Sequence, residues 1–465
     1  YANTISIGSS GTFLYASDTN QKLTGIISGA GELTKNTATS TLTLTGANTY
    51  SGLTTVSTGI VEVQHNTALG DNGTSASYTT VASGAAVSVS GGLTGVTEPL
   101  YLAGTGVSSG GALRNTSGSN TWSGAVTLTA AAEVQIDTGT TLSMSGGVSG
   151  TFGLTVDSVG SSTISGAIAT STGSVTKTGA GTLTLSAANT YTGVTQISTG
   201  VVMLSGSGRL ADTTAVTVDS GATFDLNDIT DTVGSIAGAG SITLGSGTLT
   251  AGGDASSTTF SGVISETGGF TKAGAGTLTL TGTNTYSGNT AIAASGGSLV
   301  IGSAGSLGSG SYAGQVTLSA STTFTYSSSA SQTLSGKITG SGALTKDTSS
   351  SSTLTLSGST SDYTGPTTVS SGIVKVTTSA ALGGSGSGEG TTIASGGAVH
   401  VDGSGLSLAE PFTISGTGSS STGALLNLAN ANTITGAVTL GADRSEEHTS
   451  ELQSHSDLVC RLLLE

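Results

Sequence analysis

Few residues of this chain have the types and spacing for chemistry, and each has a plainer role open to it. Gly106-Val107-Ser108-Ser109-Gly110 has the glycine–serine–glycine spacing that presents a nucleophilic serine where a strand turns sharply into a helix. With 76 glycines in 465 residues, composition alone produces that spacing, and no helical pattern follows it. Asp225, Asp228 and Asp231 offer the hard oxygen donors calcium takes. Neither the EF-hand spacing nor a glycine-rich nonapeptide repeat surrounds them, so they read as a strand followed by a polar turn. His65 and His400 have no ligand-spaced His, Cys or carboxylate beside them, which argues against zinc. Arg114 and Arg209 are far apart in sequence, whereas a polysaccharide-cleaving face clusters acidic and basic groups. A Thr-Lys pair recurs at Thr34-Lys35, Thr176-Lys177, Thr271-Lys272 and Thr345-Lys346 and holds four of the seven lysines. A spaced row of cations would suit an acidic glycan. The plainer reading, preferred here, is an outward charge that keeps strand edges from pairing with other chains. The expectation is no catalytic, cofactor-binding or metal-ligating residue, and no cofactor.

These side chains sit in a repeated sentence. Leu33-Thr34-Lys35 is followed by Thr41-Leu42-Thr43-Leu44, then Asn48-Thr49-Tyr50-Ser51-Gly52, then Gly59-Ile60-Val61-Glu62-Val63. Close copies carry Thr182-Leu183-Thr184-Leu185 with Tyr191, Thr277-Leu278-Thr279-Leu280 with Tyr286, and Thr353-Leu354-Thr355-Leu356 with Asp362-Tyr363. Alternation of apolar and polar residues marks half-buried strands. Leu42, Leu44, Val61 and Val63 are expected inside, with Thr43 and Glu62 outside. The Asn-Thr-Tyr-Ser-Gly segment reads as a turn, because Asn and Gly tolerate left-handed backbone, with the Tyr as a packed corner residue.

Short strands and turns allow a sandwich, a propeller or a solenoid. The four lysines stand 142, 95 and 74 residues apart, too irregular for propeller blades but tolerable in a solenoid. A second repetition supports an array. Glu98-Pro99-Leu100 through Leu128 returns as Glu410-Pro411-Phe412 through Leu440, offset by 312 residues. The expected fold is all-β, a β-solenoid forming a single elongated rod of about 15–22 coils at roughly 20–30 residues each.

Composition narrows the class further. Only 8% of residues are charged, and mean hydropathy is +0.20. The aliphatic alternation argues against disorder. A net charge of −15 with 11 Lys and Arg argues against nucleic acid, since phosphate binding needs clustered cations. Low charge and almost no cysteine suit a secreted bacterial surface protein. Tyr1–Tyr15 lacks the charged and apolar regions of a signal peptide, so the chain reads as cut at its front. From Arg444 the pattern changes: Arg444–Glu465 has no glycine and no alternation, and it holds the single cysteine, Cys460. This stretch resembles the in-frame translation of a sequencing-library adapter, and residues 444–465 are read as a non-native tail.

Gly269-Phe270-Thr271-Lys272-Ala273-Gly274-Ala275-Gly276-Thr277-Leu278-Thr279-Leu280 with Asn284-Thr285-Tyr286 resembles the β-strand repeat of bacterial autotransporter passengers. Phe224-Asp225-Leu226-Asn227 with Val233-Gly234-Ser235-Ile236 resembles the segment usually found upstream of it. The resemblance implies a right-handed parallel β-helix, shown outside the cell by a C-terminal outer-membrane barrel. On this reading residues 1–443 are a fragment of a β-helical passenger domain, with repeats near 25–63, 166–204, 262–301 and 336–376. The membrane is met only through a barrel missing from this fragment. The expected role is an adhesin or self-association stalk that contacts host or sibling-cell surfaces, glycans among them. A passive stem for an N-terminal effector such as a protease is the first alternative. A β-helical polysaccharide-processing enzyme is the second.

Overall fold

The computed structural model describes residues 1–70, 77–294, 297–348, 352–386, 388–421 and 423–441; the tail at 444–465 lies outside them. The chain forms two compact units, Tyr1–Val233 and Gly234–Glu465. Within each, short strands stack in parallel on the strands one coil earlier, giving a β-solenoid. Hydrogen-bonded partners in successive coils lie between 19 and 29 residues apart, as the coil length read from the sequence requires.

The core of each unit follows from the alternation. In the first unit Leu42, Val61, Val87, Leu113, Val134 and Val156 lie in register on successive coils. All six are buried. In the second unit Leu278, Leu299, Phe324 and Leu344 do the same. Each coil adds a few aliphatic side chains to a column that continues through its neighbours, so no coil buries its apolar face alone. Thr43, Glu62, Thr277 and Thr279 are half-buried on the opposite face, as expected. β-Branched threonine fits this pleated outer surface.

Regular structure other than strand is confined, among the described residues, to three single-turn segments: Val107–Ser109, Gly308–Gly310 and Ser419–Ser421. Each has a serine in left-handed backbone at its centre: Ser108, Ser309 and Ser420, with φ of 52°, 55° and 54°. Ser108 and Ser420 are 312 residues apart, so the duplicated block repeats its backbone as well as its residue types.

Candidate functional site

The recurring feature of the fold is a corner built on each Thr-Lys pair, and here the expected outward charge is wrong. Lys35, Lys177, Lys272 and Lys346 are 0%, 0%, 1% and 0% exposed. Each stands in an inward column between apolar side chains. Lys177 lies between Val156 and Ile197, and Lys346 between Tyr326 and Val369. The ammonium is satisfied by backbone carbonyls. Lys177 Nζ donates to Ser158 O at 3.3 Å, Thr178 O at 2.5 Å, Gly179 O at 2.6 Å and Thr199 O at 3.4 Å. Those acceptors come from three successive coils, so one cation ties three corners together.

The other copies vary this plan. Lys35 donates to Thr37 O and, at 3.4 Å, to Thr58 O. Lys272 donates to Ala273 O and, at 2.7 Å, to Gly274 O. Lys346 donates to Thr348 O at 2.9 Å and Ser352 Oγ at 3.0 Å. Lys35 and Lys346 also lie over the rings of Tyr15 and Tyr326, each 5.8 Å from the centroid, a geometry that favours the cation. Burial pushes Lys177 and Lys346 down to about 8, because a low-dielectric site disfavours charge. Glycine in the next coil leaves room for the ammonium. A Cβ at Gly59 or Gly200 would fall 2.5 or 2.9 Å from the lysine Nζ, and both glycines have positive φ.

The Asn-Thr-Tyr-Ser-Gly turn is also built differently from the expectation. Neither the Asn nor the final Gly is in left-handed backbone. Asn48 is a buried clamp: its Oδ1 accepts from Ile27 N–H at 2.8 Å, and its Nδ2 donates to Ala68 O at 2.6 Å. Asn189 and Asn284 repeat this, accepting from Ile168 and Ile264 at 3.0 Å each. In the fourth copy Ser361 takes the place, accepting from Ile338 N–H at 3.2 Å. Asp362 instead points outward to Lys337 at 2.6 Å. The final glycines stack: a Cβ at Gly52, Gly193 or Gly288 would meet the carbonyl oxygen of Gly31, Gly173 or Gly268 at 2.3–2.4 Å. The Tyr is the packed corner residue expected. Tyr50, Tyr191, Tyr286 and Tyr363 are fully buried, and each hydroxyl pairs with a Thr four residues on, at 2.6–2.7 Å.

Two carboxyls of the duplicated block are buried beside these corners. Thr79 donates to Glu98 at 2.9 Å, and Thr391 to Glu410 at 2.9 Å. Thr79 stacks on Thr54, the partner of Tyr50, and Thr391 on Thr367, the partner of Tyr363. Burial pushes both carboxyls up to about 7, against 4.5 ordinarily. A carboxyl raised on folding adds stability that is complete below the unfolded value and is lost as pH rises through the folded one. The melting temperature is therefore expected to fall between about pH 5 and pH 8, and Glu98→Gln with Glu410→Gln should flatten that slope. An unchanged slope in the double variant would contradict the assignment. The repeated Glu-Pro was visible in the sequence, but its burial depends on threonines 19 residues away.

The remaining candidates do not converge. Ser108 is exposed, and a strand follows its turn rather than a helix. Asp225 lies on the outer surface, whereas Asp231 is buried and accepts from Leu210 N–H at 3.0 Å. His65 closes a local turn with Thr67 at 3.2 Å. His400 stacks on Lys375, which pairs with Asp402 at 3.1 Å. Its Nε2 is buried with no hydrogen-bond partner among the described residues. Arg114 is held by Asp137 at 2.9–3.2 Å, and Arg209 donates to Gly208 O at 2.6 Å. Among the described residues no three His, Cys, Asp or Glu gather as metal ligands.

Residues 39–63, 175–204, 270–301 and 349–376 match the family described as passenger-associated-transport-repeat. No curated protein and no solved structure matches the chain. The matched segments are those that carry the buried tyrosine corner and the strands on either side of it. The chain thus carries four passenger-associated-transport-repeats within a parallel β-solenoid, a combination that fits an autotransporter passenger.

Proposed function

We propose that this passenger works at the bacterial cell surface as an adhesin or self-association stalk, by contact rather than catalysis. The observation that carries the reading is the outer face. In the second unit Thr325, Thr345, Thr368, Thr392, Thr413 and Thr439 stand in register on six successive coils. Adjacent coils are about 4.8 Å apart in the hydrogen-bonding direction, so the hydroxyls form a regular row. Weak contacts along such a row add through effective concentration, and affinity per coil can be low. The repeat lysines and the carboxyls of Glu98 and Glu410 are buried within the coils, so this row presents hydroxyls rather than those charges.

The test is display. Residues 1–443 fused to a heterologous outer-membrane barrel should make a non-adherent bacterium settle and attach to coated surfaces. The effect should decline stepwise as repeat blocks are removed. Unchanged settling and attachment would leave the passive-stem reading in its place, and polysaccharide turnover abolished by one substitution would make the chain an enzyme.

A further inference from the structure

The ten tyrosines divide by where they point. Tyr15, Tyr50, Tyr191, Tyr286, Tyr312, Tyr326 and Tyr363 are buried in corners or columns, and Tyr1 is the exposed first residue. Tyr78 and Tyr101 instead lie half-exposed on the outer face of the first unit, on neighbouring coils. Their ring centroids are 4.7 Å apart and their planes are tilted by 51°. Tyr101 stands in an outward column between Thr80 and Thr127. Tyr78 immediately precedes the strand Thr79–Val81, with half-exposed Pro99 on the next coil. Beneath the pair Thr79 and Glu98 are buried and bonded to each other, which fixes both backbones.

The fold does not require these rings. The block duplicated at an offset of 312 residues keeps Thr391, Glu410 and Pro411 but has Gly390 for Tyr78 and Thr413 for Tyr101. Its strands Thr391–Ile393 and Phe412–Ile414 pair in the same register as Thr79–Val81 and Leu100–Leu102. An outward aromatic pair that the equivalent coil omits points to recognition, not packing. Its chemistry is amphipathic: two apolar ring faces with phenol hydroxyls, beside the hydroxyls of Thr80 and Thr127, and no charge among these residues. A pyranose has the complementary character, with an apolar C–H face and a rim of hydroxyls.

We propose that Tyr78 and Tyr101 form a stacking subsite for a neutral hexose-based glycan chain. This deepens the surface-contact reading above and rests on it. The full chain should be retained on at least one of three uncharged polysaccharide matrices: cellulose, mannan or starch. Tyr78→Ala with Tyr101→Thr should lower that retention by about tenfold, the order expected when an aromatic anchor is truncated. Melting temperature should stay unchanged, because both side chains point outward. Thr413→Tyr, which adds a ring to the equivalent coil, should raise retention. Retention on none of the matrices, or retention unaffected by the double variant, would overturn the proposal. So would a patch that acts between copies, seen as a change of oligomeric state in the double variant with glycan retention unaltered. Displayed cells separate the two levels. Attachment retained by the double variant alongside unaltered glycan retention removes the subsite alone, whereas no attachment by the unsubstituted chain removes the surface-contact reading itself.

Discussion

Lys177→Met is expected to destabilise the first unit by about 1–3 kcal/mol, the usual cost of leaving buried polar groups without partners. Methionine keeps the apolar stem in the column between Val156 and Ile197. What it removes is the ammonium that four carbonyls from three coils accept from. Lys177→Glu should cost more, about 3–5 kcal/mol, because a carboxylate would face those same carbonyl oxygens in a buried site. Lys22→Met is the control. Lys22 is exposed and its ammonium donates to Gln64 at 3.3 Å, a contact whose loss should stay within about 0.5 kcal/mol. Urea midpoints at a shared slope measure all three. A Lys177→Met variant as mild as Lys22→Met would mean that the carbonyl cage contributes nothing.

Leu280→Ala is expected to cost about 2–5 kcal/mol, the range for truncating a buried aliphatic side chain. Leu280 is fully buried and stacks between Phe260 and Ile301. A hole there faces two further coils, and a column of single side chains has little to collapse into it. Thr279, one residue earlier, points to the outer face; Thr279→Ala should cost about 0.5 kcal/mol or less. Similar losses at the two positions would contradict the inside–outside assignment on which the solenoid rests.

The apolar columns were legible in the sequence because alternation acts residue by residue. Thr-Leu-Thr-Leu can bury its leucines in only one register, and the buried Tyr corner followed from its place between strands. The lysines show where two local rules conflict. Lys35 is two residues after Leu33, so alternation puts both on the same inward face, while charge argues for the outer one. Alternation won because carbonyls beside the corner replace water around the ammonium. Those carbonyls belong partly to other coils: Ser158 is 19 residues before Lys177 and Thr199 is 22 after it. No local window contains them. The Asn clamp was missed for the same reason, since Asn48 holds Ile27 and Ala68, 21 residues back and 20 ahead. The stacked glycines look like turn formers in sequence, and only the carbonyl of the coil below shows that a side chain is excluded.

The most direct test of this account is the accessibility of the seven lysines to an amine-acylating reagent in the folded protein, read by peptide mapping. Lys22, Lys337 and Lys375 reach the surface and should be modified readily under native conditions. Lys35, Lys177, Lys272 and Lys346 should stay protected until denaturant unfolds the coils around them. Uniform modification of all seven in the native state would put the repeat lysines outside and contradict the caged corner.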